Sequence, residues 1–258
     1  MENTTTKETI VTLCRSLKLA AGMADRAMTI TGKTHQEYLI SLLSSEVQSR
    51  RDARVVQRLN RAKMPYQESF DDYDPSEVRF PESMTFEECR ELKFYQEKEN
   101  VLMYGGSGTG KTMLAICIGM KACMADIPVR FFRTEDLITR LKEARAQERL
   151  TEFKEKHSEA RIIILDEFGY LPYDLEGSQL LFNFISAFYQ KASIIMTTNK
   201  DFSEWKDILG DLKLTKAFAG RIVHHCELIT FPGKDRRIMN SRIAGMYQNL
   251  MATDEEEE

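Results

Sequence analysis

Residues 100–120 have the sequence NVLMYGGSGTGKTMLAICIGM. The first five residues form a short apolar run typical of a buried strand, and residues 113–120 are rich in helix formers. Between them lies the pattern Gly-x-x-x-x-Gly-Lys-Thr, from Gly105 to Thr112, so the glycines fall at a strand-to-helix turn. This arrangement predicts a phosphate-binding loop in an α/β fold.

The chemistry of such a loop is electrostatic. Backbone N–H groups of residues 106–111 would point inward, and the helix N-terminus adds positive partial charge. Lys111 would reach the β- and γ-phosphates of a nucleotide, and Thr112 would ligate Mg²⁺. A chance match is the alternative, and the flanking strand and helix argue against it. The predicted nucleotide contacts are Gly105, Gly106, Ser107, Gly108, Thr109, Gly110, Lys111, Thr112 and Met113.

A second stretch, RIIILDEFGY at residues 161–170, supplies acidic groups. Its branched apolar run ends in Asp166 and Glu167, which places both carboxylates at the C-terminal edge of a buried parallel strand, where ligands bind. Asp166 is predicted to hold Mg²⁺, and Glu167 to orient and deprotonate the water that attacks the γ-phosphate. The alternative is a surface acid pair that caps the next turn. A kinase for a small metabolite would not need the second acid, so the pair favours hydrolysis.

A third stretch, SIIMTTNKDFSEW at residues 193–205, is again an apolar strand that ends in polar residues. Asn199 could hydrogen-bond the attacking water or the γ-phosphate from a strand lying between those of the first two motifs. Alone, Thr-Thr-Asn is more often only a turn. In third place after the other two motifs, it predicts a sensor of the nucleotide.

Length and composition bound the class of protein. A chain of 258 residues has room for one α/β domain and a smaller appendage. Its apolar runs are too short for a transmembrane span, and the N-terminal MENTTTKETI lacks the features of a signal peptide. We therefore expect a cytoplasmic protein with no membrane partner. The five cysteines form no Cys-x-x-Cys pair, which indicates reduced, structural thiols.

Charge is unevenly distributed along the chain. The formal net charge is −4, but residues 254–258 are all acidic, so the rest of the chain carries +1. In SRRDARVVQRLNRAK, arginines recur at helical spacing, and such a row can follow a phosphate backbone. A solvated face paired with acids is the alternative. The predicted DNA contacts are Arg50, Arg51, Arg54, Arg58 and Arg61.

The chain is predicted to have two domains and a tail. Residues 1–66 have helical periodicity, with the boundary near Tyr66 and a linker over residues 64–81. Residues 67–251 alternate strands and helices, which predicts a parallel sheet with helices on both faces. Thr134 is expected to cap a helix. A last helix over residues 235–251 and an acidic, disordered tail at 252–258 complete the prediction. The strands are expected at 101–104, 129–133, 161–166, 193–198 and 227–231.

Five segments together resemble the IstB-like AAA+ ATPases, which help insertion-sequence transposases and are related to DnaC-type helicase loaders. The segments are GGSGTGKT, IIILDEFG, TTN followed by SEW, AGRIVHH and the terminal GKDRR. The resemblance covers nearly the whole chain. It implies a P-loop AAA+ parallel sheet flanked by helices, preceded by a small all-helical domain. The C-terminus leaves little or no room for the helical lid of larger AAA+ proteins.

The resemblance also implies cofactors, partners and roles. It implies ATP and Mg²⁺ as cofactors, and as partners double-stranded DNA bound without sequence preference, a transposase and further copies of the chain. Arg221 matches an arginine finger, which must reach a neighbouring subunit's γ-phosphate, so active sites would be shared in a homo-oligomer. Arg237 matches a second sensor, with Arg236 as the alternative. Lys111, Asp166, Glu167 and Asn199 match the family's nucleotide site.

Two other functions remain open at this point. A helicase loader would use the same chemistry but would favour single strands, whereas the arginine row suits a duplex backbone. A non-hydrolysing nucleotide switch would bind only protein, and Glu167 and Arg221 argue against it.

Overall fold

The computed structural model describes residues 2–20, 22–233 and 235, with the backbone alone for residues 2–5. The chain divides into two compact units, Met1–Arg58 and Leu59–Glu258. The division falls inside a helix, before Tyr66, where the domain boundary was predicted. In the described part of the chain, no helix is both long and apolar enough to cross a membrane.

The first unit is helical, as predicted. It contains α1 (Glu2–Ser16), α2 (Met23–Thr29) and the start of α3 (His35–Ala62). The Thr34 hydroxyl accepts a hydrogen bond from the Glu37 N–H at 3.1 Å, so it satisfies one of the unpaired donors at the start of α3.

A buried carboxylate links the elements of this unit. Glu46 on α3 is only 4% exposed, and it accepts hydrogen bonds from the Ala20 N–H and from Arg26 and Arg50, each at 2.8 Å. Burial acts to raise the pKa of Glu46, but these donors outweigh it and hold the pKa below its usual value. The Arg26 and Arg50 pairs therefore compensate a charge that would be costly to bury alone.

The second unit is built on a five-stranded parallel sheet, and every predicted strand is present. The order across the sheet is β2-β3-β4-β1-β5. β4 thus lies between β1 and β3, as the third motif predicted. The strands are β1 (Asn100–Gly105), β2 (Val129–Arg133), β3 (Ile162–Phe168), β4 (Ser193–Thr198) and β5 (Cys226–Phe231).

Helices cover both faces of this sheet, which confirms the predicted α/β class. One face packs against α6 and residues 62–94, and the other against α7, α9, α10 and α11. The helices of this unit are α4 (Phe86–Arg90), α5 (Lys93–Gln96), α6 (Lys111–Met124), α7 (Thr134–Ala146), α8 (Leu150–His157), α9 (Leu175–Phe188), α10 (Trp205–Leu209) and α11 (Leu212–Val223).

The segment expected to be a linker is packed instead. Phe70 and Tyr73 are buried in the core beside α6, and Arg79 forms an antiparallel bridge with Thr230 on β5. Its prolines and acids indicated a spacer, but its aromatic side chains bury enough apolar surface to fix it to the sheet domain.

The predicted capping role of Thr134 is wrong. Thr134 is the first residue of α7, follows Arg133 at the cap position, and donates its hydroxyl to the Asp166 carbonyl at 2.8 Å. The hydroxyl therefore ties α7 to β3. Several predictions concern residues outside those that the structure describes. They are the last helix, the acidic tail, the absence of a helical lid, and the choice between Arg236 and Arg237 as second sensor.

All five cysteines are free thiols, and four of them are buried, as the sequence predicted.

Candidate active site

The glycine-rich loop connects β1 to α6, so all nine predicted nucleotide contacts lie on one turn and the first residues of one helix. Gly108 and Gly110 have φ values of +65° and +99°, which disfavour any residue with a Cβ. Lys111 is buried, and its ammonium donates to the Gly105 carbonyl at 2.9 Å and to the Gly106 carbonyl. The loop thus folds around a positive charge.

Asp166 lies beside this loop at the C-terminal edge of β3. Its Oδ1 atom accepts hydrogen bonds from the hydroxyls of Thr112 at 2.8 Å and Thr197 at 2.6 Å. Burial raises the pKa of Asp166, and the two hydroxyl donors oppose that shift. The structure brings together Thr112 and Asp166, the two residues predicted to hold the metal.

Glu167 has an unusual backbone. Its φ is +57°, and the pairing of β3 with β4 shifts register between Leu165 and Phe168. The left-handed conformation is unfavourable for a residue with a Cβ, and the hydrogen bond from the Glu167 N–H to Thr197 Oγ1, at 2.9 Å, supports it here. The break in the strand turns this side chain away from the regular alternation.

The Glu167 carboxylate is held by Arg133, the last residue of β2. Its Oε2 atom accepts from Arg133 Nε at 3.0 Å and from a terminal guanidinium nitrogen at 2.5 Å. Both side chains are accessible to water, with 58% of the Arg133 side chain and 40% of the Glu167 side chain exposed. A pair this accessible to water is weak, so Glu167 can exchange Arg133 for another partner.

Two residues of this site were not among those predicted. Thr197 accepts from the Glu167 N–H and donates to Asp166, so one hydroxyl aligns both acids. The sequence signal for Thr197 was its place in Thr-Thr-Asn, where Asn199 was singled out. Arg133 has no signal of its own, because the pairing of β2 with β3 creates its contact with Glu167. Asn199 itself follows β4 and is exposed at the same edge.

Comparison with known proteins identifies the family. A family model described as "IstB-like ATP binding protein" matches residues 14–244. The chain belongs to this family.

Individual relatives agree with this membership. The IstB-like chain is 34% identical to an insertion sequence IS21 putative ATP-binding protein of Pseudomonas aeruginosa, over 82% of this chain and 80% of that protein. It is 32% identical to an insertion sequence IS5376 putative ATP-binding protein of Geobacillus stearothermophilus, over 92% and 96%. Its fold is similar to AMPPCP-bound DnaA from Aquifex aeolicus, with a TM-score of 0.55, 18% identity, and coverage of 68% of this chain and 54% of that one. The predicted AAA+ fold and IstB-like family are confirmed.

Arg221 lies at the opposite edge of the sheet from the glycine-rich loop. It belongs to the last turn of α11, just before β5 begins at Cys226. Asn100, at the start of β1, donates to the carbonyls of Arg221 and Ile222. The IstB-like fold therefore does not bring Arg221 together with the loop of its own chain.

The five arginines of the predicted DNA-binding row all lie on α3. They are differently engaged. Arg50 donates to Glu46 and to the Lys18 carbonyl, each at 2.8 Å, and Arg61 forms a long contact of 3.4 Å with Glu159. Arg51 and Arg54 are exposed. Arg50 is itself exposed, but its guanidinium is engaged by the buried Glu46 and by the Lys18 carbonyl.

Proposed function

We propose that this IstB-like protein is a Mg²⁺-dependent ATPase that assembles on double-stranded DNA and assists a transposase. The observation that carries the ATPase proposal is the cluster at the C-terminal edge of the sheet. There a buried lysine, a hydroxyl-bound aspartate and an exposed glutamate surround a loop shaped for phosphate. These are the functional groups that transfer of a phosphoryl group to water requires.

Lys111 and the loop amides bind the phosphates in this proposal. The Lys111 ammonium donates to two loop carbonyls. A nucleotide would replace these acceptors with phosphate oxygens, which bear full negative charge and form stronger hydrogen bonds.

Thr112 and Asp166 fit a magnesium ion. They offer a hydroxyl and a carboxylate 2.8 Å apart, and hard oxygen donors suit Mg²⁺, which keeps several waters and takes few protein ligands. The bound ion would neutralise charge on the phosphates. A cation would also favour the ionised form of Asp166, whose pKa burial raises.

Glu167 acts as the general base for the attacking water, and Asn199 helps to orient that water. Glu167 is 40% exposed, so it remains accessible to solvent and to substrate. Arg221 of a neighbouring subunit would contact the γ-phosphate, with Arg237 as a second sensor in the same chain.

Replacement of Glu167 by glutamine tests the catalytic assignment. Glu167→Gln keeps the shape of the side chain but removes the base, so turnover should fall about 100-fold or more while ATP still binds. The matched control is Glu176→Gln, an exposed glutamate on α9 that pairs with Arg145. Measurements of ATP affinity and of single-turnover hydrolysis distinguish a loss of binding from a loss of catalysis. Turnover within a few-fold of the wild type would remove Glu167 from the role.

The DNA proposal rests on α3 and on relatives whose names place them in insertion sequences. Each arginine that contacts a phosphate contributes roughly −0.9 to the slope of log affinity against log salt. We choose Arg54 and Arg58 for substitution, because Arg50 donates to the buried Glu46 and its loss would disturb the helical unit. Phosphate contacts position a protein without reading bases, so affinity should fall similarly on unrelated sequences.

The measurement is duplex binding over a salt series, with and without ATP. Arg54→Ala/Arg58→Ala should flatten the slope by about two. Lys213→Ala/Lys216→Ala, which removes two exposed charges from α11, is the control for net charge. ATP should tighten binding, because assembly brings several α3 helices to one duplex. Equal slopes for the two double variants would contradict a DNA-contacting row.

The transposase and loader readings differ in substrate and partner. A preference for duplex over single-stranded DNA of equal length favours the transposition role. Retention of a transposase encoded beside this gene, by ATP-loaded Glu167→Gln protein on duplex DNA, would support it directly. A preference for single strands would favour helicase loading.

A further inference from the structure

Two side chains from distant parts of the sequence hold Arg221. The first is Asn100, which is buried at the start of β1. Its amide nitrogen donates to the Ile222 carbonyl at 2.9 Å and the Arg221 carbonyl at 3.3 Å, and its Oδ1 atom accepts from the Ile194 N–H at 2.9 Å. The last carbonyls of a helix lack partners within the helix, so Asn100 fixes the end of α11 to β1 and β4.

The second is Phe182 on α9. The guanidinium carbon of Arg221 lies 4.2 Å from the centroid of the Phe182 ring. This cation–π contact is made through the carbon, so it consumes no N–H donor. A terminal nitrogen of Arg221 also makes a long hydrogen bond of 3.4 Å to the Ala217 carbonyl. The guanidinium is thus oriented while it donates only this one hydrogen bond to the residues that the structure describes.

This arrangement separates Arg221 from the phosphate loop of its own chain. Asn100 and the loop lie at opposite ends of β1, which spans six residues or roughly 17 Å. An arginine anchored at one end cannot reach a phosphate at the other. A fixed guanidinium that donates so few hydrogen bonds within the described part of its own chain is suited to an anionic group on another molecule.

We propose that Phe182 and Asn100 are positioning residues. They hold Arg221 in the orientation in which it contacts the nucleotide of a neighbouring subunit. Asn100 fixes the backbone and Phe182 the guanidinium, so less side-chain entropy is lost when the γ-phosphate is contacted. This inference rests on the proposed ATPase function with shared sites.

A mixed assembly tests this positioning role, because it assigns each substitution to one side of the interface between subunits. Lys111→Ala subunits have a defective pocket and an intact Arg221, whereas Arg221→Ala subunits have the reverse. Their mixture should recover part of the ATPase activity. Phe182→Ala is then added either to the Lys111→Ala subunit, which donates Arg221, or to the Arg221→Ala subunit, which has no guanidinium to hold.

The expected result is asymmetric. On the donating subunit, Phe182→Ala should lower the recovered turnover about three- to tenfold with little change in KM for ATP. On the other subunit it should leave the recovery as it was. Phe182→Trp on the donor should restore turnover, because the ring face returns, whereas Phe182→Leu should not.

Three outcomes would overturn different parts of the proposal. Equal losses of turnover for both placements of Phe182→Ala would mean that Phe182 serves folding or assembly. The positioning role would then be rejected, and the shared active site would stand. Absence of any recovery in Lys111→Ala and Arg221→Ala subunits that demonstrably co-assemble would reject the shared site itself. Full recovery with Phe182→Leu on the donor would show that bulk, not the ring, holds Arg221.

Discussion

The C-terminal and N-terminal edges of the parallel sheet hold their functional side chains by different means. At the C-terminal edge, Asp166 and Glu167 lie near the end of their own strand, and Thr197 on the adjacent strand contacts both. At the N-terminal edge, Arg221 is held by an asparagine and a phenylalanine from two other elements. The first edge is organised by strand order and the second by tertiary contacts.

This difference has a consequence for the proposed mechanism. In that mechanism the C-terminal edge would bind the phosphates and the metal ion and supply the base, whereas the guanidinium proposed to contact the γ-phosphate lies at the far edge of the same sheet. One chain therefore presents an incomplete site and, at a distance, the group that would complete another. Hydrolysis would then depend on assembly, which is how binding to DNA could control it.

The largest effect is expected from Asn100→Ala, which removes three hydrogen bonds at the N-terminal edge. The Ile194 N–H and the helix-end carbonyls would lose their partner in a buried place, and each such loss costs roughly 1–3 kcal/mol. We expect the free energy of unfolding in urea to fall by about 3 kcal/mol. ATP affinity of the folded protein should not change, because the phosphate loop lies at the other edge.

Asn100→Asp provides the control for geometry. It retains the acceptor for Ile194 but turns the donor into an oxygen facing two carbonyls, so it should be at least as unstable. A loss of less than 0.5 kcal/mol in Asn100→Ala would show that water replaces the amide, and the two edges would then differ less than the hydrogen bonds indicate.

The sequence predicted the positions of candidate site residues where these are local to a motif. Identifying the strands was enough to place these residues, because Asp166 and Glu167 lie near the end of β3 and Gly105–Thr112 begins at the last residue of β1. Sequence patterns did not identify Arg133, Thr197 or Phe182. Their contacts arise from strand order and helix packing, which bring together residues separated by tens of positions. Thr134 was misassigned for a related reason, since its hydroxyl has an acceptor on β3 that no local pattern reveals.

An intermediate effect is expected from Thr197→Val, which keeps the shape of the side chain at the C-terminal edge. The variant loses the donor to Asp166 and the acceptor for the Glu167 N–H. Turnover should fall about tenfold, or about 1.4 kcal/mol in transition-state stabilisation, with a smaller loss in ATP affinity. Steady-state kinetics measure the turnover, and nucleotide titration measures the ATP affinity. Thr197→Ser retains the hydroxyl and should remain close to the wild type; an equal loss in both variants would mean that packing at this position, and not the hydroxyl alone, sets the turnover.

The smallest effect is expected from Arg133→Gln. The two hydrogen bonds from Arg133 engage the Glu167 carboxylate and direct it toward β2, so Arg133 competes with the attacking water for the proposed base. Because both side chains are exposed, the pair is worth roughly 0.5 kcal/mol, and its removal should raise basal turnover about two- to threefold. Arg133→Lys can donate to only one point and should lie between the wild type and the glutamine variant. The measurement is ATPase activity without DNA at saturating ATP. A fall in turnover would instead place Arg133 among the groups that assist hydrolysis, and the C-terminal edge would then contain a catalytic guanidinium of its own.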